Sequence, residues 1–145
     1  MGTRNLDDLS TALRPKVIEV LARLAERGIP VMIVQTLRTM AEHQANLKAG
    51  TSAAVLSKHL PRVLRGYPLS DADAQKADAI DLAPYEIFAL HGPDKLQWDA
   101  DDPAFKAIGE FGEAQGLRWG GRWKTPRDPG HLELVLHPPV TTVQA

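Results

Sequence analysis

The stretch Trp119 to Leu134, WGGRWKTPRDPGHLEL, decides how the rest of the chain is read. From His131 the run HLELVL alternates strictly, placing His131, Glu133 and Val135 on one face of a strand and Leu132, Leu134 and Leu136 on the other. The leucines require a core, so the histidine face is the one left for chemistry. Asp128 stands three residues before His131 in a proline-punctuated loop, where its side chain can reach the edge of that face without belonging to the strand. Upstream, Gly120–Gly121 predicts a tight turn joining a strand pair.

Working outward, ADAIDLA at Ala77 to Ala83 alternates again, with Ile80 and Leu82 on one face and Ala79, Asp81 and Ala83 on the other. Asp101 or Asp102 can cap a helix that starts at Pro103, carries the apolar stripe Phe105, Ile108 and Phe111, and stops at Gly116. Near the N-terminus, Pro15 opens a helix whose Val17, Ile18, Leu21, Leu24 and Ala25 recur at helical spacing until Gly28 and Pro30. Val31 to Val34 then reads as a buried strand delivering Arg38, and Thr39 with Glu42 forms a capping box for a helix ending at Gly50. The order helix, strand, helix, strand, helix, hairpin predicts an α+β fold, three helices on a small, mainly antiparallel sheet.

With 145 residues and 43% hydrophobic content, the chain fits one domain, residues 1–145, interrupted by a compositionally distinct segment at 60–76 and closed by a tail at 138–145. Cysteine is absent, so disulfides and thiolate ligands are excluded and any metal site must use histidine and carboxylate. A formal charge of −1 offers no field for nucleic acid, which is not expected as a partner. MGTRNLDDLSTALRPK has no apolar signal segment, and no run approaches the ~18 apolar residues of a membrane span, so neither a signal peptide nor membrane insertion is expected.

Three residues of metal-ligand type stand on separate segments: His59 in SKH, Asp81 in AIDL and His131 in GHLEL. Two histidines and a carboxylate satisfy a catalytic zinc that keeps one position open for water. Spacing alone leaves this undecided, since there is no HExxH and a single histidine more often caps a helix or faces solvent, the fate expected of His43, His91 and His137. Asp81 costs free energy among apolar neighbours unless paired or metal-bound, though its face can be the wet one. Asp78 has the opposite parity and is expected at the strand's exposed start. Arg38 can simply pair with a surface acid, and Trp119 and Trp123 can be core aromatics.

The blocks Leu37-Arg38-Thr39 with Glu42 and Gln44, Ser57-Lys58-His59, Ala77-Asp78-Ala79-Ile80-Asp81-Leu82, Trp119-Gly120-Gly121-Arg122-Trp123 and Asp128-Pro129-Gly130-His131-Leu132-Glu133-Leu134 resemble, in order, the motifs of a peptidase family. These are the zinc D-alanyl-D-alanine carboxypeptidases of VanY and VanX type and, most of all, the phage endolysins that cut the L-alanyl-D-glutamate bond of peptidoglycan stems. The resemblance runs from about Leu6 to Leu136. The chain departs from the pattern in three places: residues 60–76 open the short His-to-Asp step, Ala77 replaces a glycine, and Gly130 replaces the proline before the last histidine.

The resemblance implies that His59, Asp81 and His131 hold one Zn²⁺. Asp128 would be the acid that takes a proton from water and returns it to the leaving amine, and Arg38 would bind a substrate carboxylate or the developing oxyanion. Glu133 shares the face of His131 and would orient a histidine, while Trp123, Gln44 and Ser57 would contact substrate or support the ligands. The implied activity is hydrolysis of peptidoglycan stem peptides. A D,D-carboxypeptidase or dipeptidase, or a zinc-holding module that binds wall peptide without cutting it, are the alternatives, and Asp128 argues against the last. A monomer is expected, made in the cytoplasm and acting on the wall after holin-type release. The 60–76 segment, tethered at both ends near proposed ligands, is expected to form a substrate-facing flap.

Overall fold

The computed structural model of the protein describes residues 2–50, 57–86, 95–124 and 127–135. His91, Leu136, His137 and the tail at 138–145 therefore lie outside the described residues.

Among the described residues three α-helices form where capping and periodicity place them: α1 (Arg14–Glu26), α2 (Met40–Ala49) and α3 (Pro103–Ala114). Asp102 accepts from Ala104 N–H at 2.9 Å to start α3, and Thr39 and Glu42 complete their reciprocal box at α2, which ends on Gly50 at φ 77°. In α1 the buried stripe is Val17, Val20 and Leu24; Ile18, expected inside, is 49% exposed because the buried face is rotated toward Val20. The strands β1 (Val31–Gln35), β2 (Ala79–Pro84), β3 (Arg118–Trp119) and β4 (His131–Glu133) form one sheet in the order β1-β2-β4-β3, each neighbouring pair antiparallel. This is the expected α+β architecture.

The sheet has two unlike faces. Ile80, Leu82 and Leu132 are fully buried in a single cluster with Val17, Val20 and Leu24 of α1 and Phe105 and Ile108 of α3, and each such side chain contributes roughly 1.5 to 3 kcal/mol by leaving water. Small residues let α3 approach closely: a Cβ on Gly109 would meet the Trp119 ring at 2.2 Å, and one on Gly112 would meet Leu132 at 2.3 Å. On the opposite face the register sets Gln35 beside Asp81, Asp81 beside His131, and Ala79 and Arg118 on either side of Glu133. Directly opposed residues of antiparallel strands project to the same side. One face of the sheet therefore carries Asp81, His131 and Glu133.

The structure bears on four further expectations. The Gly120–Gly121 pair does turn the chain, as part of a 3-10 turn, Gly120–Arg122, and a longer connection leads on from it to β4. Asp78 is not exposed at the start of its strand; it is fully buried, since Arg62 and Arg65 converge on its carboxylate. His43 is 1% exposed rather than solvent-facing, because α2 turns this residue toward the body of the protein. Residues 60–76, expected as a substrate-facing flap, are anchored. They contain a 3-10 turn, Arg62–Arg65, and are tied back by Arg62 N–H to Lys76 O, Val63 N–H to Ala74 O and the two arginines on Asp78.

Candidate metal centre

β2 and β4 present Asp81 and His131 as direct neighbours, and the turn containing His59 is bonded to the end of β1, where Arg38 N–H donates to His59 O at 2.9 Å. The His59 and His131 rings lie edge to face with centroids 5.1 Å apart. One nitrogen or oxygen from each of His59, Asp81 and His131 lies within 4.8 Å of the others, a group that can hold a metal ion. The sequence places these residues far apart; the sheet brings them together.

Each histidine is oriented by a bond from its far nitrogen. His59 Nδ1 is 2.8 Å from Thr36 O, and since a carbonyl only accepts, that nitrogen carries the proton and Nε2 bears the lone pair. His59 Nε2 is buried, 3.1 Å from Asp81 Oδ1, yet off the hydrogen-bonding direction and without a hydrogen-bond partner. A lone pair on His59 Nε2 facing a carboxylate oxygen in a buried site is an arrangement that a bound cation satisfies. His131 Nε2 is 2.8 Å from Glu133 Oε1, leaving Nδ1, 3.0 Å from Asp81 Oδ1, to face the same place. The donor set of two imidazole nitrogens and one carboxylate oxygen thus fits zinc.

The electrostatics of these groups point the same way. Burial disfavours charge on His131, but its hydrogen bonds to Asp81 and Glu133 outweigh this and push its pKa up to about 10. Burial likewise raises Asp81, and the His59 and His131 imidazoles more than reverse it, holding the carboxyl well below the usual range. Glu133 is lowered to about 2 against the cost of burial by hydrogen bonds from His131 and Lys58. The acids around His131 thus favour positive charge at this point of the sheet.

Around the triad, Asp128 Oδ2 is 3.8 Å from His131 Nδ1. Burial and the charge of Asp81 raise the Asp128 pKa, with His131, His59 and Arg38 acting in the opposite direction. Asp128 is held by its backbone, whose N–H donates to Gly120 O while its carbonyl accepts from His131 N–H. Glycine is needed at position 120 for space: a Cβ there would lie 2.3 Å from Asp128 O. Arg38 is nearly buried and bonded through Nε to Gln35 Oε1 at 2.8 Å, so it is paired with an amide instead of a surface acid. Ser57 Oγ accepts from His59 N–H at 3.1 Å, and the Trp123 ring lies 4.9 Å from His131. Trp119 has a different task, donating from Nε1 to Pro129 O at 2.7 Å and so fixing the loop before His131. Gln44 is exposed on α2 and makes none of the bonds that build the triad.

Sequence reasoning missed Thr36, whose carbonyl sets the His59 tautomer, and Lys58, whose Nζ pairs with Glu133 Oε2 at 2.8 Å and donates to Leu134 O. A cation next to a candidate ligand was a visible signal for Lys58. A backbone carbonyl leaves none.

With this geometry in hand, two comparisons bear on it. Residues 75–134 match the family model described as D-alanyl-D-alanine carboxypeptidase, a segment that includes Asp81, Asp128, His131 and Glu133. The match bears out, over that segment, the family resemblance carried by the motifs. The fold is similar to that of the Serratia marcescens L-Ala D-Glu endopeptidase ChiX, with a TM-score of 0.56 and 23% identity over 93% of this chain and 89% of that one. Among the described residues no helix is long and apolar enough to cross a membrane.

Proposed function

We propose that this chain, whose residues 75–134 match the carboxypeptidase family model, is a zinc-dependent peptidase of peptidoglycan stem peptides, acting as an L-alanyl-D-glutamate endopeptidase. The observation that carries the reading is the convergence of the buried His59 Nε2, which makes no well-aligned hydrogen bond, with Asp81 and the Nδ1 of His131. His59, Asp81 and His131 would hold the ion. Bound there, Zn²⁺ supplies Lewis acidity toward water and the scissile carbonyl.

The remaining chemistry falls to the chain's own groups. Asp128, beside His131 and partly open to solvent, accepts a proton from the attacking water and returns it to the departing amine. Burial and the neighbouring Asp81 raise the Asp128 pKa, which favours its holding a proton between the two halves of that exchange. Arg38, fixed by Gln35, offers a guanidinium to a carboxylate of the stem peptide or to the charge that develops on the carbonyl oxygen. Trp123 forms an apolar wall against His131. Support for the endopeptidase specificity comes from the fold likeness to the Serratia enzyme and from the WGGxW and Asp-Pro-Gly-His-x-Glu blocks.

Metal analysis combined with muropeptide digestion tests the proposal. Stoichiometric zinc, loss of activity in chelator with recovery on adding Zn²⁺, and mass-spectrometric products cut after L-alanine are expected. Full activity in a metal-free protein would refute the metal reading, and release of terminal D-alanine alone would reassign the bond to a D,D-carboxypeptidase.

A further inference from the structure

The most completely buried acid that the proposed chemistry leaves unused is Asp78, which is fully inaccessible. Its carboxylate accepts from Arg62 Nε at 2.9 Å and Nη2 at 3.0 Å, and from Arg65 Nη2 at 2.5 Å. Tyr67 lies under both guanidinium groups, 4.9 Å from that of Arg62 and 5.7 Å from that of Arg65. Arg62 also approaches Asp71 and Asp73, and Asp73 in turn accepts from the backbone and hydroxyl of Thr11. The 60–76 segment is thereby cross-linked to the start of β2 and to the N-terminal region.

The main-chain bonds at this point connect the ligand-bearing segments. Asp78 N–H donates to Lys58 O at 2.9 Å, immediately before His59, and Arg65 Nε donates to Leu60 O at 3.0 Å, immediately after it. Asp78 O accepts from Leu134 N–H at 2.9 Å, just beyond His131 and Glu133, and Asp78 itself leads into Asp81. Buried ion clusters contribute little net stability compared with apolar packing, but a bidentate guanidinium–carboxylate pair fixes direction strictly. A long connection between His59 and Asp81 would otherwise carry loop entropy against their approach.

We propose that the Arg62–Asp78–Arg65 cluster is a positioning device for the metal centre: it pins the 60–76 segment so that His59, Asp81 and His131 stand at ligand distance before an ion arrives. The inference rests on the zinc reading of the triad. Arg62, Arg65 and Asp78 are positioning residues, since their side-chain bonds run within the cluster, to Asp71 and to Leu60 O, and their effect is preorganisation of ligands that would otherwise be ordered at the expense of binding.

The test measures zinc dissociation constants by chelator competition, together with metal-free melting temperatures, for the wild-type chain and for Arg65→Met, Arg65→Lys and the triple variant Arg62→Met/Arg65→Met/Asp78→Leu. Measurements are made where circular dichroism shows each protein folded. Arg65→Met and the triple variant should bind zinc on the order of 10 to 100-fold more weakly, the range seen when groups supporting metal ligands are lost. The triple variant should do so even if its metal-free melting temperature equals or exceeds that of wild type. Arg65→Lys keeps the charge but lacks the planar fork that spans Asp78 and Leu60, so it should fall between; it decides the question if the methionine variants do not fold. Unchanged zinc affinity in a folded variant overturns the positioning role and assigns the cluster to stability alone. A wild-type chain that takes up no zinc overturns the metal reading instead, and this inference with it.

Discussion

Replacing Glu133 with glutamine probes the bond that orients His131, and its cost follows from counting donors. Glu133 receives His131 Nε2 on Oε1 at 2.8 Å and Lys58 Nζ on Oε2 at 2.8 Å, with Arg118 3.8 Å away. Glutamine has one acceptor oxygen and one NH₂ donor, so either the histidine or the lysine must face a donor. The ammonium, with three donors and a 2.8 Å contact, competes better for the oxygen, which leaves His131 without the bond that sets its tautomer. Losing a hydrogen bond that involves a charged group costs about 1.5 to 3 kcal/mol. At 1.36 kcal/mol per decade this weakens zinc binding about 10 to 100-fold. The same count predicts a rescue. In Lys58→Met/Glu133→Gln the competing donor is gone, the amide oxygen returns to His131, and zinc binding should recover most of the loss seen in Glu133→Gln alone. Chelator competition on the four proteins of the cycle measures the coupling. An additive or worse double variant would refute the competition argument, and a Glu133→Gln protein replete in zinc but inactive would make Glu133, not Asp128, the proton-transfer residue.

Three further outcomes are expected. Asp128→Asn removes the proton acceptor while leaving the ligand set intact, so kcat should fall ~10² to 10⁴-fold with zinc content unchanged; a variant within a few-fold of wild type would reassign the base. Because His131 in the metal-free protein has its pKa raised from 6.5 to about 10, its contribution to stability is complete below pH 6.5 and is lost as pH rises through 10. Zinc must displace that proton, so its affinity should rise with pH across this window with about one proton released per ion, measurable by calorimetry in buffers of different ionisation enthalpy; a pH-independent affinity would contradict the double hydrogen bonding of His131. Gly120→Ala drives a Cβ toward Asp128 O at 2.3 Å, a contact that only a backbone shift relieves. It should cost about 1 to 3 kcal/mol in denaturant unfolding and lower kcat more than zinc content, whereas a silent substitution would show the loop to be free to move.

How much was legible in the sequence follows local chemistry. The Thr39–Glu42 capping box, a cap at Asp101 or Asp102, the leucine face of β4 and the Ile80/Leu82 face of β2 were all determined by neighbours a few residues apart, because caps and strand alternation are short-range rules. His59, Asp81 and His131 stood out by residue type, by parity and by motif resemblance. What only the tertiary structure decided is which groups face each other across strands and turns. Parity alone gave Asp78 a core direction and argued for an exposed position, since a lone buried carboxylate is costly. Two arginines from the 60–76 segment remove that cost, and no local rule foretells their convergence. The His59 tautomer depends on the Thr36 carbonyl, and the orientation of His131 on a glutamate shared with Lys58. Chain-neighbour preferences set the elements, while the direction of each lone pair is set by contacts between residues that the sequence holds far apart, and it is those directions that make three side chains a ligand set.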